Sequence, residues 1–184
     1  WTRTYGPTPD MLVLGKPVAG GLPCAVYGFN ADLAERMRRA KAEAPPGHSG
    51  IGTTLSGNML GIAALRANLA EVMTGDAYAT MLPLAERLAT GLREIIARHR
   101  LPWCVTRVGA RCEFQFCSTA PRNGSEAGAA DDHELSQAMH LALLNRGAMI
   151  TPFHNMMLVC PATTGADIDH LLAAFDAVLD RLTA

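Results

Sequence analysis

The chain has 184 residues, 49% of them hydrophobic, and a formal net charge of -1. This is enough apolar material for one good core or two small ones. The charge balance leaves no basic face for nucleic acid, and no apolar run reaches the roughly 18–20 residues that a membrane-spanning helix needs. The first residue is Trp1 and no signal-peptide pattern follows, so the start is expected to be processed or to lie within a longer polypeptide, with nothing pointing to export.

In chain order, Trp1 to Asp10 is rich in turn residues and predicts a loop. Met11 to Gly15 is a short apolar run ending in glycine, the pattern of a buried strand, and Lys16 follows at once. Pro17 to Pro23 predicts a loop around Gly20 and Gly21, and Cys24 to Phe29 a second buried strand. Asn30 is placed to cap a helix running from Ala31 to Ala44. Small and polar residues then predict a loop as far as Asn58, where a long helix begins. Thr74-Gly75-Asp76 interrupts that helix; Asp76 is placed to cap the next, which reaches Arg100 and carries Pro83, where a kink is expected.

The composition then shifts. Trp103 to Gly109 and Arg111 to Cys117 predict two strands joined at Gly109-Ala110, and Ser118 to Ala130 a mobile loop. Asp131 to Gly147 predicts an amphipathic helix with Gly147 as its C-terminal cap. Ala148 to Thr151 and Met156 to Cys160 predict short strands, and a last helix starts near Thr164 or Asp167. A boundary near residue 75 separates residues 1–75, which carry Lys16, from a smaller α+β part at residues 76–184.

The five cysteines, Cys24, Cys104, Cys112, Cys117 and Cys160, are odd in number and contain no CxxC pair. They predict reduced thiols in a cytoplasmic protein. His133 and His140 lie seven positions apart on a predicted helix, off the i,i+4 spacing of a chelate, so no metal site is expected.

Two segments carry chemistry. Lys16 sits after an apolar run, beside glycines, with no acidic residue within five positions. Partial desolvation favours a neutral amine, and a neutral amine is what attacks a carbonyl to form a Schiff base. Gly52-Thr53-Thr54-Leu55-Ser56-Gly57-Asn58 immediately precedes a helix, and hydroxyls and N–H groups at a helix start can hold a phosphate. Taken singly, an ordinary strand-edge lysine and a plain hydroxyl cap are the simpler explanations. Taken together, an amine and a phosphate cradle are the two attachments that pyridoxal phosphate requires.

On these residues the chain resembles the class III aminotransferases, most closely the glutamate-1-semialdehyde aminomutase branch. The match runs through Thr8-Pro9-Asp10, Leu14-Gly15-Lys16 and Gly20-Gly21-Leu22-Pro23, resumes from Thr53 to Met59, and returns at Pro161 to Thr164 and Asp167 to Asp169. The resemblance implies an α/β protein of PLP fold type I. Residues 1–75 would be the C-terminal part of a large domain with a mainly parallel sheet, and residues 76–184 the small C-terminal α+β domain. It implies that Lys16 forms the internal aldimine with pyridoxal 5'-phosphate, and that Thr54, beside Thr53, binds the cofactor phosphate across a homodimer interface. Thr53 stands where relatives usually have glycine, Met59 replaces a usual proline, and Pro17 follows the lysine where Ile or Val is common.

The resemblance implies a transaminase moving an amino group between an amino acid or amine and a 2-oxo acid. The alternatives are an aminomutase that shifts the group within one molecule, and a non-catalytic subunit keeping only the fold. The family's phosphate loop, ring-stacking aromatic residue and pyridine-nitrogen aspartate all precede the lysine, so an N-terminal half is expected to supply them. Asp10 is not that aspartate, because it belongs to the Thr8-Pro9-Asp10 segment. No arginine near Met156 to Cys160 matches the carboxylate clamp of the ornithine-type relatives. Arg107 and Arg111 flank the Gly109 turn and are candidates to face a substrate carboxylate. His154 and Asn155, beside Pro152 and Phe153, are candidates for the mouth of the site. Ser56 and Asn58 are read as caps, and Met156 and Met157 as core filler.

Overall fold

The structure, a computed structural model, describes every residue except Trp1, Ser49, Ile51, Phe153 and Ala184. The first residue of the predicted opening loop and two positions of the loop before Asn58 therefore lie outside the described residues. The chain divides into two compact units, Trp1–Thr74 and Gly75–Ala184.

In the first unit a helical turn, α1 (Thr2–Tyr5), stands where a loop is predicted. Strands β1 (Met11–Leu14) and β2 (Val26–Phe29) form an antiparallel ribbon with Met11 opposite Phe29 and Leu14 opposite Val26. Asn30 closes the ribbon and starts α2 (Ala31–Ala42). Its N–H donates to the Asp10 carbonyl at 3.0 Å, its side-chain amide donates to Asp10 Oδ1 at 2.7 Å, and its Oδ1 accepts from Leu33 N at 2.9 Å. Helix α3 (Met59–Ala67) follows the polar loop and passes directly into a π-helical turn, Asn68–Val72.

The ribbon departs from the expectation of buried strands. All four residues of β1 are exposed, Val13 at 65%. An apolar run shows that a strand should be covered but not by what, and a two-stranded ribbon has no third strand or helix over its faces. All strand pairs among the described residues are antiparallel, so none of the parallel sheet expected of a large domain lies among them.

The second unit has a core of its own. Helix α4 (Gly75–Arg98) runs continuously through Pro83 and buries Met81, Ala85, Leu88, Leu92 and Ile96, one face at helical spacing. Asp76 lies inside its first turn, not before it as a cap, where its charge favours the positive end of the helix dipole. Strands β3 (Cys104–Val108) and β4 (Arg111–Gln115) join at Gly109, whose φ of +60 suits a tight turn. Strand β5 (Met156–Leu158) pairs with β4 to give the order β3-β4-β5.

Two further expectations change here. Part of the predicted mobile loop is helix α5 (Gly124–Ala129), started by Asn123, whose side chain accepts from Glu126 N at 2.9 Å. Residues 148–151 are not a strand; Thr151 N reaches Met156 O at 3.2 Å without extending the sheet.

Helices α6 (His133–Leu144) and α7 (Gly165–Leu182) complete the unit. Phe114 of β4 and Phe175 of α7 are fully buried, with ring centres 5.0 Å apart, and Leu88, Leu92 and Leu179 close around them. Each such side chain contributes about 1.5–3 kcal/mol by burial. Around the rim, α4 and α7 are linked by Arg87 to Asp169 and by Arg98 to Asp176 at 3.2 Å. Helix α7 opens with a capping box: Thr164 N and Oγ1 donate to Asp167 Oδ2 at 2.8 and 2.7 Å, and Asp167 N donates back to Thr164 Oγ1 at 3.3 Å.

A Cβ at Gly91 of α4 would stand 2.5 Å from Cδ1 and 3.3 Å from Cγ of Leu172 on α7. Gly91→Ala should therefore lower the denaturant midpoint, because overpacking costs about 1–3 kcal/mol against a gain of roughly 1 kcal/mol in helix propensity. A midpoint equal to or above the parent's would show that the helices do not meet this closely. The Thr164 N–H, then its hydroxyl, holds the Asp167 carboxyl below the usual range. A depressed value means that the cap's contribution is present above the ordinary carboxylate range and fades as pH falls through the lowered value. Amide exchange in the first turn of α7 should accelerate only in that acid range, and a Thr164→Val protein, which keeps the N–H but loses the hydroxyl, should show a smaller lowering of the Asp167 titration.

Candidate active site

Lys16 opens a 3-10 turn, Lys16–Ala19, at the end of β1. Its φ is +42, in the left-handed region that a residue with a Cβ adopts at a cost of about 1–3 kcal/mol. Only one other non-glycine residue among the described ones has a positive φ, Arg100 at +55. That residue lies just past α4, where a left-handed cap is ordinary. No helix end accounts for the conformation of Lys16.

The turn is held from several sides. Val18 N donates to Gly15 O at 3.1 Å and Gly20 N to Pro17 O at 3.0 Å. Gly20 takes a φ of +64 to make that closure. Pro17 has a fixed φ and disfavours the right-handed region at the residue before it. Val18 and Ala19 are buried. Lys16 is exposed, so the partial desolvation expected from its sequence surroundings is not found, and its side-chain nitrogen has no hydrogen-bond or ion-pair partner among the described residues.

A residue that the sequence did not single out completes this support. Asn68, 8% exposed, is the first residue of the π-helical turn. Its amide nitrogen donates to Pro17 O at 2.9 Å and to Val18 O at 3.1 Å. Gly20 lies against it, since a Cβ there would stand 3.7 Å from Asn68 Oδ1. The one available signal was an asparagine within a largely apolar helical run, from Leu60 to Val72 with Arg66 and Glu71 its other polar residues, where a residue of low helix propensity needs a partner.

The threonine segment forms a tight turn ahead of α3. Thr53 N donates to Ser56 Oγ at 2.7 Å, Ser56 N to Thr53 O at 3.0 Å and Asn58 N to Leu55 O at 3.2 Å. Asn58 Oδ1 caps α3 by accepting from Leu60 N at 2.9 Å and Gly61 N at 3.1 Å. The N–H groups expected at the helix start are thus already occupied by Asn58 and Ser56. Thr54 is exposed, and its hydroxyl bonds to no described residue. This leaves an unpaired amine on Lys16 and an unpaired hydroxyl on Thr54 among the described residues, and each fits one end of a cofactor that carries an aldehyde and a phosphate. Helix α3 starts at the threonine turn, and the π turn continuing it begins against the lysine turn.

The remaining candidates lie in the second unit and are engaged in other contacts. Arg107 reaches Glu86 at 2.7 Å and Gly109 O at 2.7 Å, and Arg111 reaches Glu113 at 2.9 Å. Asn155 is buried and His154 is exposed, while Phe153 lies outside the described residues. His99, Asp176 and Asp180 bring three possible metal-binding atoms within 4.8 Å of one another. Asp176 is already held by Arg98 at 3.2 Å and by His99 Nε2 at 2.9 Å, so the group serves as an ion-pair network joining α4 and α7. The five cysteines are free thiols; burial pushes Cys112 up to about 11, and burial with the thiol of Cys117 at 3.8 Å pushes Cys104 up to about 11. No described helix is long and apolar enough to cross a membrane.

Comparison with known proteins places this geometry. The family description "Aminotransferase class-III" matches residues 1–179. The chain belongs to the class III aminotransferases. It is 32% identical over 180 residues to glutamate-1-semialdehyde 2,1-aminomutase 2 of Geobacillus thermodenitrificans, covering 97% of this chain and 40% of that protein. The solved glutamate-1-semialdehyde aminomutase from Pseudomonas aeruginosa PAO1 superposes with a TM-score of 0.92 at 46% identity, covering 99% of this chain and 41% of that one. A lysine-to-alanine variant of the same enzyme was solved in complex with PMP. A β-phenylalanine aminotransferase from Variovorax paradoxus gives a TM-score of 0.82 at 28% identity, covering 98% of this chain and 40% of that one. The fold is therefore that of the class III enzymes, and the chain spans about two-fifths of the length of these relatives.

Asn58→Ala should fray the first turn of α3, with a loss of about 1 kcal/mol. Amide exchange should rise at Leu60 and Gly61 while protection in α7 stays unchanged. Unchanged exchange at both positions would show that another group caps α3.

Proposed function

We propose that this class III chain is the lysine-bearing part of a pyridoxal-phosphate-dependent enzyme that transfers an amino group, with Lys16 as the attachment residue. The observation that carries this is the left-handed turn at Lys16, which holds an unpaired amine in a conformation no neighbouring helix end demands. Thr54, with Thr53 beside it, is the proposed holder of the cofactor phosphate, acting on the cofactor of a second subunit in a homodimer. The exposed apolar face of β1 supports the view that further polypeptide covers this unit. An N-terminal half of the same protein would supply the phosphate loop and the aspartate for the pyridine nitrogen. Five free cysteines suit a reducing compartment, and we place the protein in the cytoplasm.

Pyridoxal phosphate, when bound, supplies an aldehyde for amine condensation and a ring that draws negative charge away from the reacting carbon. Lys16 would hold the cofactor through its side-chain amine. When not attached, the same nitrogen would take and return the proton of the substrate carbon, as base and then acid. The Thr54 hydroxyl donates to the phosphate and so fixes the ring against the bond that breaks.

The substrates are an amino acid or amine and a 2-oxo acid. A second reading, transfer within one molecule as in the aminomutases, is favoured by the 46% identity to the Pseudomonas aeruginosa aminomutase. A half-reaction assay separates the two: a transaminase discharges its amino group to added pyruvate or 2-oxoglutarate, and an aminomutase turns over without either.

Full-length protein should show a visible absorption band with pyridoxal phosphate that bleaches on borohydride treatment and leaves the label on Lys16. Lys16→Ala should lose roughly 10²–10⁴-fold or more in turnover. A protein that takes up no cofactor would be a non-catalytic member of the family, and appreciable transfer by Lys16→Ala would remove the role given to that lysine.

A further inference from the structure

We infer that Asn68 is a positioning residue for Lys16, acting through the backbone of the lysine turn; this rests on the proposal that Lys16 attaches the cofactor. A left-handed lysine relaxes unless its surroundings outweigh the cost of the strain. The closing bonds within the turn, Val18 N to Gly15 O and Gly20 N to Pro17 O, are local and would move with it. The Asn68 carboxamide is anchored elsewhere, 51 residues from Pro17 and 50 from Val18 in sequence, and both of its N–H groups are spent on those two carbonyls. Two donors from one planar group fix the turn in orientation as well as in distance.

The π-helical turn explains how an asparagine comes to point there. Met73 N bonds to Asn68 O at 2.8 Å, a five-residue spacing that inserts one residue into the helical ladder. The insertion rotates the following residues relative to a continuous α-helix. Asn68 keeps an α-helical N–H bond to Ala64 and Leu65 on one side and begins the widened turn on the other. At 8% exposure the carboxamide exchanges little with water, so the loss of its two bonds would not be made good by solvent. Nothing in the chemistry proposed for Lys16 requires Asn68 to touch cofactor or substrate. Its effect would be on where Nζ stands.

The test is Asn68→Asp in the full-length protein at alkaline pH. The ionised carboxylate has the same shape but no donor, and it would face two carbonyl oxygens now at 2.9 and 3.1 Å. The readout is the rate at which pyridoxal phosphate, added to cofactor-free protein, becomes attached to Lys16, followed by absorbance and by borohydride trapping with mass mapping. The expected result is attachment slowed on the order of tenfold or more, reaching the same final extent, with kcat lowered and KM for the amino donor little changed. The ratio of variant to parent rates should rise as pH falls and the carboxyl regains a proton to donate. Asn68→Ser, which keeps one shorter donor, should fall between the two and carries the same test should Asn68→Asp not fold. Attachment at the parental rate in either folded variant, or a lowered melting temperature with unchanged rate, overturns the inference. Failure of the parent itself to label Lys16 would instead overturn the proposed attachment residue.

Discussion

Two hydrogen bonds from one carboxamide, Asn68 to Pro17 O and to Val18 O, join the turn after β1 to the helical segment that follows the threonine turn. The buried residues of the first unit are few, chiefly Val18, Ala19, Gly61 and Asn68, and they gather where this helical segment meets the lysine turn. Apolar burial is roughly proportional to area and indifferent to direction, so it would tolerate several orientations of a four-residue turn. A buried amide with two donors tolerates one. The left-handed φ at Lys16 is thus defined by polar geometry, and burial shields that geometry from water.

The two units are stabilised in different ways. In the second, α4 and α7 lie against β3-β4-β5 and bury Phe114, Phe175, Leu88, Leu92 and Leu179, a core complete within residues 75–184. Ion pairs at its rim, such as Arg98 with Asp176, are half-exposed and add modestly to what the core supplies. In the first, apolar residues such as Val13, Leu55, Met59 and Leu60 face outward. Exposed apolar side chains in this number are characteristic of a unit that meets other protein. The unit proposed to carry the reactive amine is also the one with least packing of its own.

Local signals were legible wherever the interaction itself is local. Asn30 was recognised as a cap, and the start of α7 was placed near Thr164 or Asp167, because a cap bonds N–H groups within three residues of itself, as Asn30 and Thr164 do here. The hairpin turn at Gly109-Ala110 was legible because a tight turn requires a positive φ. Helix α5 went unseen although Asn123 and Glu126 carried a capping pattern, because the glycines and serines around them resemble a loop. Asp76 was misplaced by a few positions for a related reason: an acid in the first turn and an acid at the cap read alike in sequence. The strand expected at residues 148–151 failed because an apolar run does not specify a pairing partner.

For the site, Lys16 and the Thr53-Thr54 turn could be chosen from sequence because their chemistry and spacing lie within short motifs, and the family follows from the same residues. The assignment of free N–H groups at the start of α3 could not be made that way, since Asn58 and Ser56 occupy them. What the linear order determined was which side chains could react, where helices begin and where turns fall, because those depend on residues a few positions apart. What only the tertiary structure decided was the left-handed setting of Lys16 and the part played by Asn68, because a bond spanning some fifty residues leaves no mark in either segment until the chain has folded.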